Sequence, residues 1–168
     1  DFHNGALMIN RENGARPALV VHDEAVSFNM LWQLVEMEKR RQAGFAGQLV
    51  VLSASHGLRF VVQLLSLLDS GIPVAVFSPH WSAGETRQRR ALLGRAVQLD
   101  DAGGIVWRSG PRDVRHAPGT ALILFTSGSA GQAKAVQLSH AAVLANTAAV
   151  LATIAFDPEG EQALFLPL

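Results

Sequence analysis

Residues Leu122 to Val136 read LILFTSGSAGQAKAV. The apolar run Ala121 to Phe125 has the length and composition of a buried strand, and it opens into a loop of small hydroxyl residues and glycines closed by a lysine. Val136 to Leu138 then reads as a strand returning antiparallel, and Ser139 as the cap of a long helix. A loop of this composition suits the phosphates of a nucleotide. Glycines let the backbone approach an anion and adopt positive φ, and successive free N–H groups form an anion-binding nest. Thr126, Ser127 and Ser129 add hydroxyl donors, and Lys134 adds a positive charge. Of the 14 basic residues only Lys39 and Lys134 are lysines, which makes a lysine at this point informative.

Two other readings of the loop fail on spacing. A Walker loop needs glycine before its lysine and Ser or Thr after it, whereas Lys134 lies between Ala133 and Ala135. A nucleophile elbow needs glycine two residues to either side of the serine, and neither Ser127 nor Ser129 has both. The plain alternative is a turn in which glycine and serine serve conformation alone.

Working outward, Ala18 to Val21 and Ala25 to Val26 read as a short hairpin across His22-Asp23-Glu24. Ser27 is placed to cap a helix with Phe28, Leu31, Leu34 and Val35 on one face and Gln33, Glu36 and Arg40 on the other, ended by Gly44 and Gly47. Leu49 to Leu52 and Val74 to Phe77 read as buried strands. The helix between them, Leu58 to Asp69, is apolar nearly all round and needs cover on more than one side. Gly71 and Pro73 stop it. Ser82 and Glu85 have capping-box spacing, which predicts a helix from Ala83 to about Arg95. Asp100 to Gly104 breaks the chain, Ile105 to Trp107 is a strand, and Ser109 to Gly119 is a polar surface loop. The helix after Ser139 is expected to turn Val143, Leu144, Thr147, Val150, Leu151 and Ile154 inward. Alternating strands and helices of this kind argue for an α/β layered fold with a largely parallel sheet flanked by helices.

Composition narrows the function. The 168 residues, 49% hydrophobic and 17% charged with a mean hydropathy of +0.21, predict one folded core. A formal net charge of zero gives no global attraction to nucleic acid or to an anionic membrane. The absence of cysteine removes disulfides, thiol nucleophiles and thiolate metal sites. No apolar stretch has the length of a membrane span, the N-terminus lacks the features of a secretory signal, and a cytoplasmic location is the default expectation. The chain starts at Asp1 and stops within the apolar Phe165-Leu166-Pro167-Leu168, from which a piece of a longer polypeptide is expected.

The string TSGSAGQAKAV resembles the phosphate-binding signature TSGSTGxPKG of the adenylate-forming superfamily, which comprises acyl-CoA synthetases, aryl-acid ligases, luciferases and adenylation domains of nonribosomal peptide synthetases. Thr126, Ser127, Gly128, Ser129, Gly131 and Lys134 coincide with it, while Ala130, Ala133 and Ala135 replace the usual threonine, proline and glycine. The stretch LLSLLDSGIPVAVFSP, with Leu68, Gly71, Pro73, Val74 and Pro79, is similar to the family's LxAGxxxVPxxP segment. Phe165 to Leu168 is similar to the start of its next segment. The resemblance implies that residues 1–168 form the N-terminal subdomain of an AMP-binding adenylation domain, truncated before the acyl pocket and the C-terminal domain. It implies ATP and Mg²⁺ as cofactors, with Thr126, Ser127, Gly128, Ser129, Ala130, Gly131 and Lys134 at the β- and γ-phosphates. It implies a small-molecule carboxylate as substrate and coenzyme A or a carrier protein as acyl acceptor. The remaining machinery lies downstream in that family, so the 168 residues are expected not to turn over alone. The alternative is a non-catalytic nucleotide-binding or scaffold module descended from the same family.

Other residues carry weaker signals. The six histidines lack metal-ligand spacing and read as structural or solvated. Seven arginines between Arg87 and Arg115 outnumber Asp100, Asp101 and Asp113, yet no aromatic interleaving accompanies them, and they read as a solvated helix face. Trp32, Trp81 and Trp107 read as core or interface fillers.

Overall fold

The computed structural model describes residues 14–21, 23–54, 57–109, 116–126 and 133–154. Strands β1 (Pro17–Val21) and β2 (Glu24–Ser27) form the expected antiparallel hairpin. Asp23 takes φ 64° at its turn, a left-handed conformation that Asp tolerates better than most residues. Ser27 then accepts a hydrogen bond from the Met30 N–H at 3.2 Å, satisfying one of the free donors at the start of α1 (Phe28–Gln42). After a short 3₁₀ turn (Ala43–Phe45) the chain alternates β3 (Leu49–Ser53), α2 (Leu58–Asp69), β4 (Val74–Phe77), α3 (Ala83–Ala91) and β5 (Ala96–Leu99). Strands β6 (Ile105–Arg108), β7 (Thr120–Thr126) and β8 (Lys134–Ser139) precede α4 (His140–Thr153).

Six strands form one sheet in the order β6-β5-β3-β4-β7-β8. The four central strands run parallel, while β6 and β8 are antiparallel edges. The α/β fold with a largely parallel sheet therefore stands. Val50, Val51, Val74 and Ala75 are all fully buried, because both faces of the central strands are covered. Val50, Leu52, Phe60, Leu67 and Leu68 pack on one face, and Leu49, Val51, Phe77, Leu93 and Ile123 on the other.

Helix α2 is covered on two sides, as its composition requires: the sheet lies under Phe60 and Leu67, and α1 packs across Val62 through Leu31 and Val35. A buried polar network closes the α1/α2 seam. Glu38, 3% exposed, receives Arg59 at 3.4 Å and Gln42 at 3.3 Å, while Ser66 donates to Gln42 at 2.7 Å. Each buried polar group of this set thus has a partner, which avoids the cost of an unmade hydrogen bond. Lys39 reaches from α1 to Asp69 at the end of α2 and also to Glu36.

Three expectations are corrected. Helix α3 ends at Ala91 rather than near Arg95, because Leu93 turns fully into the core. Residues Ala96–Leu99 form β5, a central strand the sequence reading lacks. Gln98 interrupts its apolar run but is satisfied by Arg90 and by Ser53, the latter at 3.4 Å. The third correction concerns α4. Ser139 caps it, accepting from Ala142 N at 3.1 Å, but only Val143 of its expected inward set packs on the core. Leu144, Val150, Leu151 and Ile154 are 36%, 39%, 58% and 52% exposed. The helix rests on β7 and on β8, which is a sheet edge, and no residue of α4 is fully buried.

Candidate functional site

The candidate site is the β7–β8 hairpin. Strand β7 is held between β4 and β8, with Val74↔Leu122 and Ala75↔Ile123 fixing its parallel register. Parallel pairing with β4 directs the end of β7 toward the carboxyl ends of the central strands, where open α/β sheets bind ligands. Across the antiparallel ladder Leu124 faces Val136, Phe125 faces Ala135, and Thr126 faces Lys134. Directly opposed residues share a face of the sheet, so the threonine that opens the loop and the lysine that closes it lie on the same face. Ser127, Gly128, Ser129, Ala130 and Gly131 lie outside the described residues. Of the expected site residues, then, the structure brings together Thr126 and Lys134.

Both of these are exposed, and Lys134 makes no ion pair or hydrogen bond among the described residues. The other lysine is committed: the Asp69 carboxylate, with Glu36, raises the Lys39 pKa above its ordinary value. No described residue therefore competes with an external anion for the Lys134 ammonium.

The stem of the hairpin is fixed by contacts absent from the sequence reading. Phe77, Trp81 and Phe125 form a triangle of rings with centroids 5.3, 5.3 and 5.6 Å apart, two of the three pairs edge to face. This cluster holds Phe125, the residue before Thr126. Ala135 packs on the same side, so its methyl group fills space against the core, and Ala133 is 8% exposed. Two of the three departures from the signature are thus accommodated by packing. The signal available in the sequence was the aromatic trio itself, spread over three segments.

At its other end the hairpin is tied to the preceding turn. Gln137 Oε1 accepts from Ala117 N at 2.9 Å, Thr120 Oγ1 donates to Ala117 O at 2.7 Å, and His140 N donates to Gly119 O at 3.2 Å. Gly119 has φ 78°, which favours glycine at that turn. His116, just before it, has its pKa lowered by burial.

No group of three or more His, Cys, Asp or Glu among the described residues is placed to hold a metal ion. His80, His116 and His140 stand apart, while His3, His22 and His56 lie outside the described residues. Two arginines depart from the solvated face expected for them. Arg89 is 8% exposed with its guanidinium 4.0 Å from the Trp81 ring, and Arg90 lies 4.7 Å from that of Trp107. Trp81 and Trp107 are accordingly fillers against the core, as expected.

No protein-family model and no curated protein matches the chain. Solved structures do. The N-terminal subdomain of Klebsiella oxytoca NpsA matches with TM-score 0.62 at 19% identity, over 79% of this chain and 40% of that one. The o-succinylbenzoate CoA synthetase MenE from Bacillus subtilis, in complex with its acyl-adenylate intermediate, matches with TM-score 0.68 at 14% identity, over 89% and 46%. The fold is that of an adenylate-forming N-terminal subdomain. MatB from Rhodopseudomonas palustris shares it with TM-score 0.61 at 13% identity, over 84% of this chain. The chain spans less than half the length of each of these adenylate-forming structures. Among the described residues no helix is long and apolar enough to cross a membrane.

Proposed function

We propose that the chain is the N-terminal part of an ATP-dependent ligase that activates a carboxylate as an acyl-adenylate. The observation that carries this reading is the pairing of Thr126 with an uncommitted Lys134 at the mouth of the β7–β8 hairpin, within a fold shared with adenylate-forming enzymes. In this reading the carboxylate oxygen bonds to the α-phosphorus of ATP, the α–β bridging bond breaks, and pyrophosphate leaves with the electron pair. Lys134 and the Thr126 hydroxyl face the negative charge that builds on the departing pyrophosphate, and charge-assisted donors are strongest where they are preorganised. The proposed phosphate site also includes Ser127, Gly128, Ser129, Ala130 and Gly131. A bound Mg²⁺ would supply further neutralisation of the phosphate charge. A thiol of coenzyme A or of a carrier protein then takes the acyl group. The acyl pocket and that second step belong to parts of the enzyme beyond this subdomain, which alone is inactive.

The test is carboxylate-dependent ATP–pyrophosphate exchange by the full-length protein across fatty, aryl and amino acids. Exchange with one acid class, reduced on the order of 100-fold in Lys134→Ala, supports the reading. Folded protein without exchange on any acid sinks it in favour of a non-catalytic module.

A further inference from the structure

On the α3 side of the sheet, the helix and edge strand β6 enclose a cleft of about 560 Å³. Trp81 and Trp107 wall it, with Thr86, Arg87, Arg90 and Arg108 around them, and no acidic residue lines it among the described residues. The volume falls within the range of small-molecule sites. Among the described residues three guanidiniums share this lining without a carboxylate, and like charges held close together repel.

None of the three guanidiniums makes an ion pair among the described residues. Arg90 is stacked beside the Trp107 ring and hydrogen-bonded only to the neutral Gln98 amide, and burial lowers its pKa from the ordinary value. Arg87 and Arg108 are exposed and make no ion pair or hydrogen bond among the described residues. The stack on Trp107 also restrains the Arg90 side chain. That reduces the entropy lost on binding and holds the Arg90 charge in the cleft lining. The two indoles offer flat apolar walls of the size of a single ring system.

We propose that this cleft is a second binding site, separate from the β7–β8 hairpin, for a small planar aromatic anion. The carboxylate or phosphate meets Arg87, Arg90 and Arg108, and the ring lies against Trp81 and Trp107. The charge complementarity and the aromatic walls select together: neither a neutral ring nor an inorganic anion satisfies both.

Titration of the protein with phenyl phosphate and with benzoate, followed by tryptophan fluorescence, tests the site. Benzyl alcohol, benzylamine and inorganic phosphate serve as controls. The expected result is saturable quenching by either aromatic anion, whichever head group is preferred, with at least about tenfold weaker binding in the exposed-surface double variant R87Q/R108Q. Affinity unchanged in Lys134→Ala places the event away from the hairpin. Quenching that Lys134→Ala abolishes, equal affinity in R87Q/R108Q, or benzyl alcohol binding as tightly as the anions would each overturn the proposal. So would the absence of any saturable signal from protein shown to be folded by circular dichroism.

Discussion

Helices α2 and α4 are both apolar along most of their length, yet α2 has six buried residues and α4 has none. The difference is one of neighbours. Helix α2 lies between α1 and the middle of the sheet, whereas α4 rests on β7 and the edge strand β8. The same kind of sequence thus gives a sealed half around β3, β4 and β5 and an open half around the hairpin that carries Lys134. The sealed half holds most of the buried core, and the open half carries the proposed phosphate site.

Substitutions can break that comparison. Leu67→Ala in α2 removes a fully buried side chain from the packed face, with an expected loss of about 2–5 kcal/mol in denaturant unfolding. A loss under about 1 kcal/mol would mean that the sealed half is not the stability core.

Lys39→Met cuts the tie from α1 to Asp69, which is 7% exposed, with an expected cost of about 1–2 kcal/mol at neutral pH. The sign of its pH dependence follows from the raised Lys39 pKa. The contribution is fully present below 10.5 and fades as pH rises through the folded value, so wild type and variant converge at strongly alkaline pH. A gap that stays constant across that window would refute the ion-pair account.

Ser27→Ala, which removes the α1 cap, should cost about 1 kcal/mol by thermal or chemical denaturation. A neutral result would show that the β1–β2 hairpin holds the helix start without the hydroxyl.

A smaller effect is confined to acid. Burial lowers the His116 pKa, so its neutral form costs nothing above the ordinary value of 6.5, and stability falls as pH drops from there toward the folded value. His116→Gln should flatten that part of the stability–pH curve, and an unaltered curve would assign the acid sensitivity elsewhere.

The smallest effect sharpens the contrast most. Leu151→Gln on α4, where the side chain is 58% exposed, should change stability by less than about 0.5 kcal/mol. A loss of 2 kcal/mol or more would mean that the face of α4 is covered in the working protein.

Most of the element order was legible because its signals are local. The hydroxyls of Ser27, Ser82 and Ser139 mark helix starts wherever they stand, and the capping box of Ser82 and Glu85 forms with both of its hydrogen bonds present. Strand β5 was illegible because Gln98 breaks its apolar run, and only its pairing beside β3 and its contact with Arg90 make a buried glutamine tolerable. Arg89 and Arg90 of α3 were misread for a related reason. A charged residue near an aromatic one in space gives no periodic signal when Trp107 lies two segments away.

For the site, the sequence alone determined the residue types: a hydroxyl- and glycine-rich loop closed by a scarce lysine, a composition with few chemical uses. The tertiary structure decided what a string of letters cannot hold, because pairing is between segments. It set Thr126 against Lys134 across a ladder, fixed Phe125 between Phe77 and Trp81, and left Lys134 without an ion pair among the described residues while Lys39 was taken by Asp69. Local propensity selects elements, but register, burial and the partner of each charge are settled by contacts distant in sequence.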